Sequence, residues 1–390
     1  MNYKISHPTK IVNCEINLPS SKSISNRLLI IRALSKDKFV MQNLSESDDT
    51  KVLQEALNSK KSIIKIGNAG TSFRFLTAYL SIQDKKEFIV DGSDRIRERP
   101  IKELVNTLNK LGANITYLNN DKRPPLKIKG RKIKGGEIEI DGNISSQFIT
   151  SILLIAPTLE NGIELKIKGN LVSKSYIVMT LKLMAFFGIK SKWENNTIQI
   201  RKQEYSANNY HIEADWSAAS FWFEIAALSK DCNIILPGLK ENSIQGDKKC
   251  IEIFKSFGVN ARFKNEKLIL NKTQKFSPQE TYNLIDNPDL YQPLKCTLAA
   301  SNLDAKFVGI QTLQSKETDR ILAVKKELEK IHSTRIIDTY EDHRMAMSFA
   351  PLALKVEKLQ VNDVQVVSKS YPNFWNDIQN AGFTISPLTD

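Results

Sequence analysis

A helix, a glycine and a strand recur along this chain, and that phrase limits what it can fold into. Ile101, Leu104, Val105, Leu108 and Leu111 are spaced for one face of a helix, Gly112 stops it, and a β-type run follows over Ala113–Leu118. The phrase returns in Leu181–Phe187, Gly188 and Ile189–Trp193, and again in Cys250–Phe257, Gly258 and Val259–Phe263. The three glycines are 76 and 70 residues apart. That interval predicts an α/β (α+β) chain built from repeated units, each helix closed by a glycine that lets the backbone turn into a strand. With 390 residues, 41% of them hydrophobic, two domains with their own cores are expected. Turn-rich stretches fall at Asn119–Pro125, Arg201–Asn209 and Asn271–Gln279. The second coincides with a change in charge balance, which places a boundary near residue 210.

That change is large. Residues 1–200 hold 32 Lys+Arg against 19 Asp+Glu, whereas residues 201–390 hold 24 of each. A basic half attracts anions, whether nucleic acid, acidic lipid, or a phosphorylated or carboxylated metabolite. No nucleic-acid module accompanies the charge, so nucleic acid is not the expected partner. No apolar run reaches the ~18–20 residues of a membrane helix, so no membrane partner is expected either. Met1–Lys10 is polar and lacks the apolar stretch of an export signal. Cys14, Cys232, Cys250 and Cys296 are far apart with no CxxC, which argues against a disulfide scaffold and a zinc ribbon. A cytoplasmic location follows as the expectation.

Several segments carry cations and hydroxyls to the start of a helical run. Leu18-Pro19-Ser20-Ser21-Lys22-Ser23-Ile24-Ser25-Asn26-Arg27 precedes an apolar helix, and Gly67-Asn68-Ala69-Gly70-Thr71-Ser72-Phe73-Arg74 follows an Ile-rich strand. Ser145-Ser146-Gln147 and Ser173-Lys174-Ser175-Tyr176 repeat the theme. Each fits an ordinary helix cap or an anion site. Arg95, Arg97 and Arg99 stand just before the helix at Ile101, where cations oppose its dipole, although Glu98 is available to pair with one of them. Lys316 and Arg320 are four residues apart, and on one helical face they would repel unless an anion lay between them. Tyr340-Glu341-Asp342-His343-Arg344 runs into an apolar helix, and Asp289 lies ahead of another, as a cap or an acid–base group. There is no P-loop, no GxGxxG and no HExxH. The pattern fits a small, multiply anionic substrate handled by acid–base chemistry, with no cofactor and no metal expected.

Read in order, Ser21-Lys22-Ser23 with Asn26-Arg27, Gly67-Asn68-Ala69-Gly70-Thr71, Arg97-Glu98-Arg99-Pro100, Ser145-Ser146-Gln147, Lys316-Glu317-Thr318-Asp319-Arg320 and Asp342-His343-Arg344-Met345-Ala346-Met347 resemble the 5-enolpyruvylshikimate-3-phosphate synthase family. The resemblance runs from about Leu18 to Trp375. It implies the enolpyruvyl transferase fold, two similar globular domains each of three repeated βαβαββ units, with the active site in the cleft between them. One domain would span residues 20–212 and bind shikimate 3-phosphate. The other would join residues 1–19 to 213–390, complete the phosphoenolpyruvate site and carry the acid–base residues. The implied reaction moves the enolpyruvyl group of phosphoenolpyruvate to the 5-hydroxyl of shikimate 3-phosphate and releases phosphate, a step of aromatic amino-acid biosynthesis. Carried over by position, shikimate 3-phosphate would meet Lys22, Ser23, Arg27, Ser145, Ser146, Gln147, Ser173, Tyr176, Asp289 and Lys316. Phosphoenolpyruvate would meet Lys22, Asn68, Gly70, Arg99, Gln147, Arg320, Arg344 and Lys369. Asp289 and Glu317 would be the acid–base pair, with Lys22 assisting and His343 close by. A monomer is the expected state.

The sequence departs from that family's pattern in places. Phe75 stands where Pro is expected, Thr312 where Asn is common, Ala214 where Gly precedes Asp215, and Pro293 is expected to interrupt the helix after Asp289. Gly70 is expected to leave room for the inhibitor glyphosate, and Phe75 to shift that loop and weaken inhibition. The alternative acceptor is UDP-N-acetylglucosamine, used by a sister family with a reactive Cys in its first domain. Here Cys14 alone precedes residue 232.

Overall fold

The computed structural model describes residues 1–119 and 122–388, and in it the recurring glycines occupy one structural position. Gly112, Gly188 and Gly258 have φ of 109°, 86° and 78°, each between a helix and the first strand of a hairpin. A fourth, Gly382 with φ of 95°, lies between the helix Phe374–Asn380 and the strand Thr384–Leu388. These are left-handed conformations that a Cβ would strain. The turn expected over Asn119–Pro125 includes residues 120 and 121, which lie outside the described residues.

The glycines mark a sheet topology that appears four times. Ile63–Lys65 and Glu87–Asp91 pair in parallel, and the hairpin Ile115–Tyr117/Leu126–Lys129 returns antiparallel with its later strand innermost. Gly136–Asp141, Ile163–Lys168, Thr197–Ile200 and Ser191–Glu194 follow the same spatial order. So do Ile11–Glu15, Asp231–Pro237, Lys267–Lys272 and Val259–Lys264, although about half the chain intervenes between the first two. In the fourth sheet, Ile336–Ile337, Leu359–Val361 and Thr384–Leu388 take Asn2–Ser6 as their missing strand. Two further parallel pairs, Met41–Gln42 with Tyr210–His211 and Thr281–Asn283 with Lys306–Val308, are shortened versions. The chain forms two compact units, Lys22–Ile212 and Met1–Ser21 with Glu213–Asp390, and each holds two complete sheets and one shortened pair.

Within each unit the helices are buried and the sheets are half-exposed. Ile163–Lys168 alternates between buried and less buried residues along its length, as a strand with one wet face does. The wet faces carry much of the basic charge of the first half. Lys127 and Lys129 pair with Glu87, Lys166 with Glu137, and Lys168 with Glu139 across neighbouring strands. Such exposed pairs contribute little stability.

Helix Trp216–Leu228 is apolar on nearly every side and lies at the centre of its unit, with Trp216, Trp222, Phe221 and Phe223 buried. Glu224 sits among them at 0% exposure, and among the described residues neither of its carboxyl oxygens has a hydrogen-bond partner. Burial raises its pKa well above the ordinary 4.5. The folded state therefore holds this proton more tightly than the unfolded chain does. Its stabilising contribution is intact below the unfolded value and is lost as the pH rises toward the folded one, by about 1.4 kcal/mol per pH unit. Glu224→Gln is expected to match the parent protein near pH 4 and to exceed it in stability above neutral pH. Urea denaturation at both pH values checks this, and equal stabilities at high pH would contradict it.

Candidate active site

In the unit formed by Lys22–Ile212, four helices bring their first turns together. These are Lys22–Leu34, Gly70–Ser81, Ser146–Ile155 and Lys174–Phe186. Arg27 is their main tie. Its Nε donates to Thr180 Oγ1 at 2.8 Å, Nη1 to Ser23 O at 2.7 Å, and Nη2 to Tyr176 O at 3.3 Å. Among the described residues no carboxylate reaches this buried guanidinium, and burial lowers its pKa to about 10. A buried cation held by neutral oxygens alone is a strong draw for an anion. Lys22 opens its helix with Nζ 3.5 Å from Asp49 Oδ2. Gln147 donates from Nε2 to Thr71 Oγ1 at 3.1 Å, and Ser145 caps the helix that carries Ser146 and Gln147. Ser173 holds a left-handed φ of 56° at the start of the helix bearing Tyr176. For a residue other than glycine that conformation is strained.

The arginine cluster differs from the sequence expectation. Arg95 and Arg97 lie inside a short helix of their own, Asp94–Glu98, capped by Ser93, and not at the start of the helix Lys102–Lys110. They occupy its last turn, where cations suit the dipole. Arg95 pairs with Glu98 at 2.7 Å and Arg97 with Asp91 at 2.6 Å, so two of the three are neutralised locally. Arg99 remains turned toward Gly70. A Cβ on Gly70 would lie 2.4 Å from Arg99 Nη1 and 2.8 Å from Arg74 Nη1. The guanidinium groups of Arg99 and Arg74 thus lie directly beside Gly70. Asn68, two residues earlier, accepts a hydrogen bond from Ser93 Oγ, tying this loop to the arginine segment. Phe75 is buried inside its helix with its ring 5.7 Å from the Arg27 guanidinium carbon.

In the other unit, one buried arginine gathers the carboxylates. Arg320 donates from Nε to Asp342 Oδ2 at 2.7 Å, from Nη1 to Asp289 Oδ1 at 3.0 Å and from Nη2 to Glu317 Oε2 at 2.8 Å. Arg344 donates to Asp289 Oδ2 at 2.9 Å, and Lys369 lies 3.1 Å from Glu317 Oε1. Asp342 also caps the helix His343–Phe349, accepting from Arg344 N at 2.9 Å, and its Oδ1 lies 3.4 Å from His343 Nδ1. Burial alone would raise the pKa of Asp289. Arg344, Lys316 and Arg320 outweigh it and hold the carboxyl far below its ordinary range. Asp247, a buried neighbour, goes the other way, pushed up to about 6 by burial and by the charge of Asp289.

Three sequence expectations change here. Lys316 and Arg320 do not share a helical face, because the helix Arg320–Thr334 begins at Arg320 with Asp319 as its cap and Lys316 is extended. Asp289 is not a helix cap; it lies within the turn Pro288–Leu290 with both carboxyl oxygens on arginines. Pro293 does not interrupt the helix, for it is the third residue of Tyr291–Ala300, where the first-turn N–H groups have no intrahelical partner to lose. Sequence reasoning missed Asp49, Arg74, Asp247 and the counter-ion role of Asp342. Asp342 could have been found, since an Asp directly before His-Arg and an apolar run is a cap signal. The others become neighbours only through the fold.

Four repeated sheets in two units are the fold of the enolpyruvyl transferase class. The fold matches an EPSP synthase from Acinetobacter baumannii with a TM-score of 0.77 over 99% of this chain and 100% of that one, at 22% identity. The chain belongs to the EPSP synthase (3-phosphoshikimate 1-carboxyvinyltransferase) family, whose sequence model matches residues 6–61, 52–334 and 330–378. It is 44% identical over 407 aligned positions to the 3-phosphoshikimate 1-carboxyvinyltransferase of Bacteroides fragilis (strain YCH46), covering 99% of each chain. It is 36% identical to that of Buchnera aphidicola subsp. Cinara cedri (strain Cc), covering 95% of each.

Two expectations follow from these contacts. Asp342→Asn keeps a good helix cap but leaves Arg320 short of a charge, and should cost about 3 kcal/mol of stability in urea denaturation. Gly70→Ala should push the Arg99 guanidinium aside. An anion bound by Arg99 would then weaken about tenfold, with little change in thermal unfolding. Titration with phosphoenolpyruvate beside a thermal scan checks it.

Proposed function

We propose that this chain transfers the enolpyruvyl group of phosphoenolpyruvate to the 5-hydroxyl of shikimate 3-phosphate and releases phosphate, a step of aromatic amino-acid biosynthesis. The observation that carries the reading is that both candidate acid–base carboxylates, Asp289 and Glu317, are held by Arg320, Arg344 and Lys369, the cations a phosphate and a carboxylate would draw. Shikimate 3-phosphate is assigned to Lys22, Ser23, Arg27, Ser145, Ser146, Gln147, Ser173, Tyr176, Asp289 and Lys316. The uncompensated Arg27 supports its phosphate end. Phosphoenolpyruvate is assigned to Lys22, Asn68, Gly70, Arg99, Gln147, Arg320, Arg344 and Lys369.

In this reading Asp289 takes the proton of the 5-hydroxyl as that oxygen bonds to C2 of phosphoenolpyruvate. Glu317 or Lys22 delivers a proton to the methylene carbon, and a tetrahedral ketal results. Loss of a proton from the new methyl group then expels phosphate by breaking its bond to C2. As Arg344 and Arg320 take up the anionic groups of phosphoenolpyruvate, their hold on Asp289 loosens and its basicity rises. Each proton transfer assisted in this way contributes ~10²–10⁴-fold. The cations stabilise charge as it moves to the leaving phosphate. His343 is read as a neighbour of this group through Asp342.

The sugar-nucleotide alternative lacks its thiol. All four cysteines are in the unit Met1–Ser21/Glu213–Asp390, and burial pushes Cys14 up to about 12, Cys232 to about 11, and Cys250 and Cys296 well above the ordinary value. Such thiols are poor nucleophiles at neutral pH. Phosphate release from phosphoenolpyruvate is expected with shikimate 3-phosphate and not with UDP-N-acetylglucosamine. Release with the sugar nucleotide alone would overturn the acceptor assignment.

A further inference from the structure

The chain leaves one unit after Ser21 and returns to it at Glu213, and these two passages are paired. Ser20 and Ala214 form an antiparallel bridge, Ser21 N donates to Glu213 O at 2.9 Å, and Asp215 N donates to Pro19 O at 2.9 Å. A two-residue ribbon of this kind is weak by itself. A third segment, Ser243–Asp247, holds it through every second side chain. Ser243 Oγ donates to Glu213 Oε1 at 2.7 Å, and Asp247 accepts from Ser217 Oγ.

Gln245 makes the central contacts. Its Oε1 accepts from Ser21 Oγ at 2.9 Å and from Trp216 N at 3.1 Å, while its Nε2 donates to Ala214 O at 2.8 Å. Gln245 is 5% exposed and Ser21 is fully buried, so these bonds do not exchange freely with water. Removing the amide would strip the buried Trp216 N–H and Ala214 carbonyl of these bonds, at about 1–3 kcal/mol each. What the clasp fixes is chemically pointed. Ser21 is covalently joined to Lys22, the first residue of the helix Lys22–Leu34, and Asp247 lies within the electrostatic reach of Asp289 and Arg344.

We propose that Gln245 is a positioning residue for Lys22: its buried amide anchors Ser21 to the backbone of Ala214 and Trp216 and so fixes where the Lys22 helix begins. The proposal rests on the reading of Lys22 as a substrate-contacting group. Among the described residues, the side-chain hydrogen bonds of Gln245 go to Ser21, Ala214 and Trp216 and to no residue assigned to a substrate. A misplacement of about 1 Å at a reacting group can cost ~10²-fold in rate.

The test uses the full chain and three variants, Gln245→Ala, Ser21→Ala and the double variant. Saturating phosphate-release assays should show kcat lowered about tenfold or more in each single variant, with the double no worse than the lower single. Non-additivity of that kind identifies one shared interaction. A purely structural role for Gln245, bracing Ala214 and Trp216, predicts instead that Ser21→Ala keeps kcat within about twofold and that the effects add. Ser21→Ala retains the Gln245 backbone contacts, so it carries the test if Gln245→Ala does not fold.

A second readout needs no turnover. The rate at which trinitrobenzene sulfonate modifies Lys22, followed by peptide mass mapping, should change at least threefold in Ser21→Ala while exposed lysines such as Lys36 do not change. An unchanged Lys22 rate would overturn the positioning role. A parent protein that releases no phosphate with shikimate 3-phosphate, yet shows the labelling change, would overturn the functional reading and leave the clasp in place.

Discussion

Arg320 is an arginine almost wholly removed from water, and the candidate chemistry in its unit is organised by the need to neutralise it. Desolvating a guanidinium costs several kcal/mol, which a single carboxylate in poor geometry would not recover. Asp342, Asp289 and Glu317 surround it instead, each within 3.0 Å. Burial would lower the Arg320 pKa, but Asp342, Glu317 and Asp289 overcome it and raise the pKa. The same requirement spaces Asp289 and Glu317 about one cation. It places Arg344 through the cap on Asp342, and it leaves Lys369 to complete the charge on Glu317. Asp289 is thereby kept ionised at a place where burial alone would have raised its pKa.

The inserted unit uses the opposite device. Arg27 is as deeply buried but is met by hydroxyls and carbonyls, so its charge is solvated and not cancelled. The helix starts around it add N–H groups and partial positive charge. One unit thus sets carboxylates among cations, and the other holds a buried cation among neutral oxygens. Both arrangements rest on the same repeated sheet, whose inner face is covered by apolar helices.

Much of this was legible along the chain. Helix starts at Lys22, Gly70, Ser146 and Lys174 follow from local hydroxyl and small-residue signals, which act within one turn. The three hairpin glycines, Gly112, Gly188 and Gly258, stand out because helix, glycine and strand are contiguous. Gly382 has the same contiguous helix, glycine and strand, but its strand completes a sheet with Asn2–Ser6, far away in sequence. The arginine segment misled because a five-residue helix begun by Ser93 is too short to show a period. The Lys316–Arg320 spacing misled because four residues mean one face only inside a helix, and Asp319 starts that helix after Lys316.

The sequence by itself determined the repeat, the helix starts and the residue types gathered there, since caps, glycine turns and apolar periods are set by neighbours within a few positions. The family followed from the order of its motifs. The tertiary structure alone decided which charges meet. Asp289 and Arg344 are 55 residues apart, Ser21 and Gln245 are 224 apart, and Arg27 and Thr180 are 153 apart. Electrostatics and hydrogen bonding depend on distance and burial, and neither can be read from the chain until packing has removed the water between them.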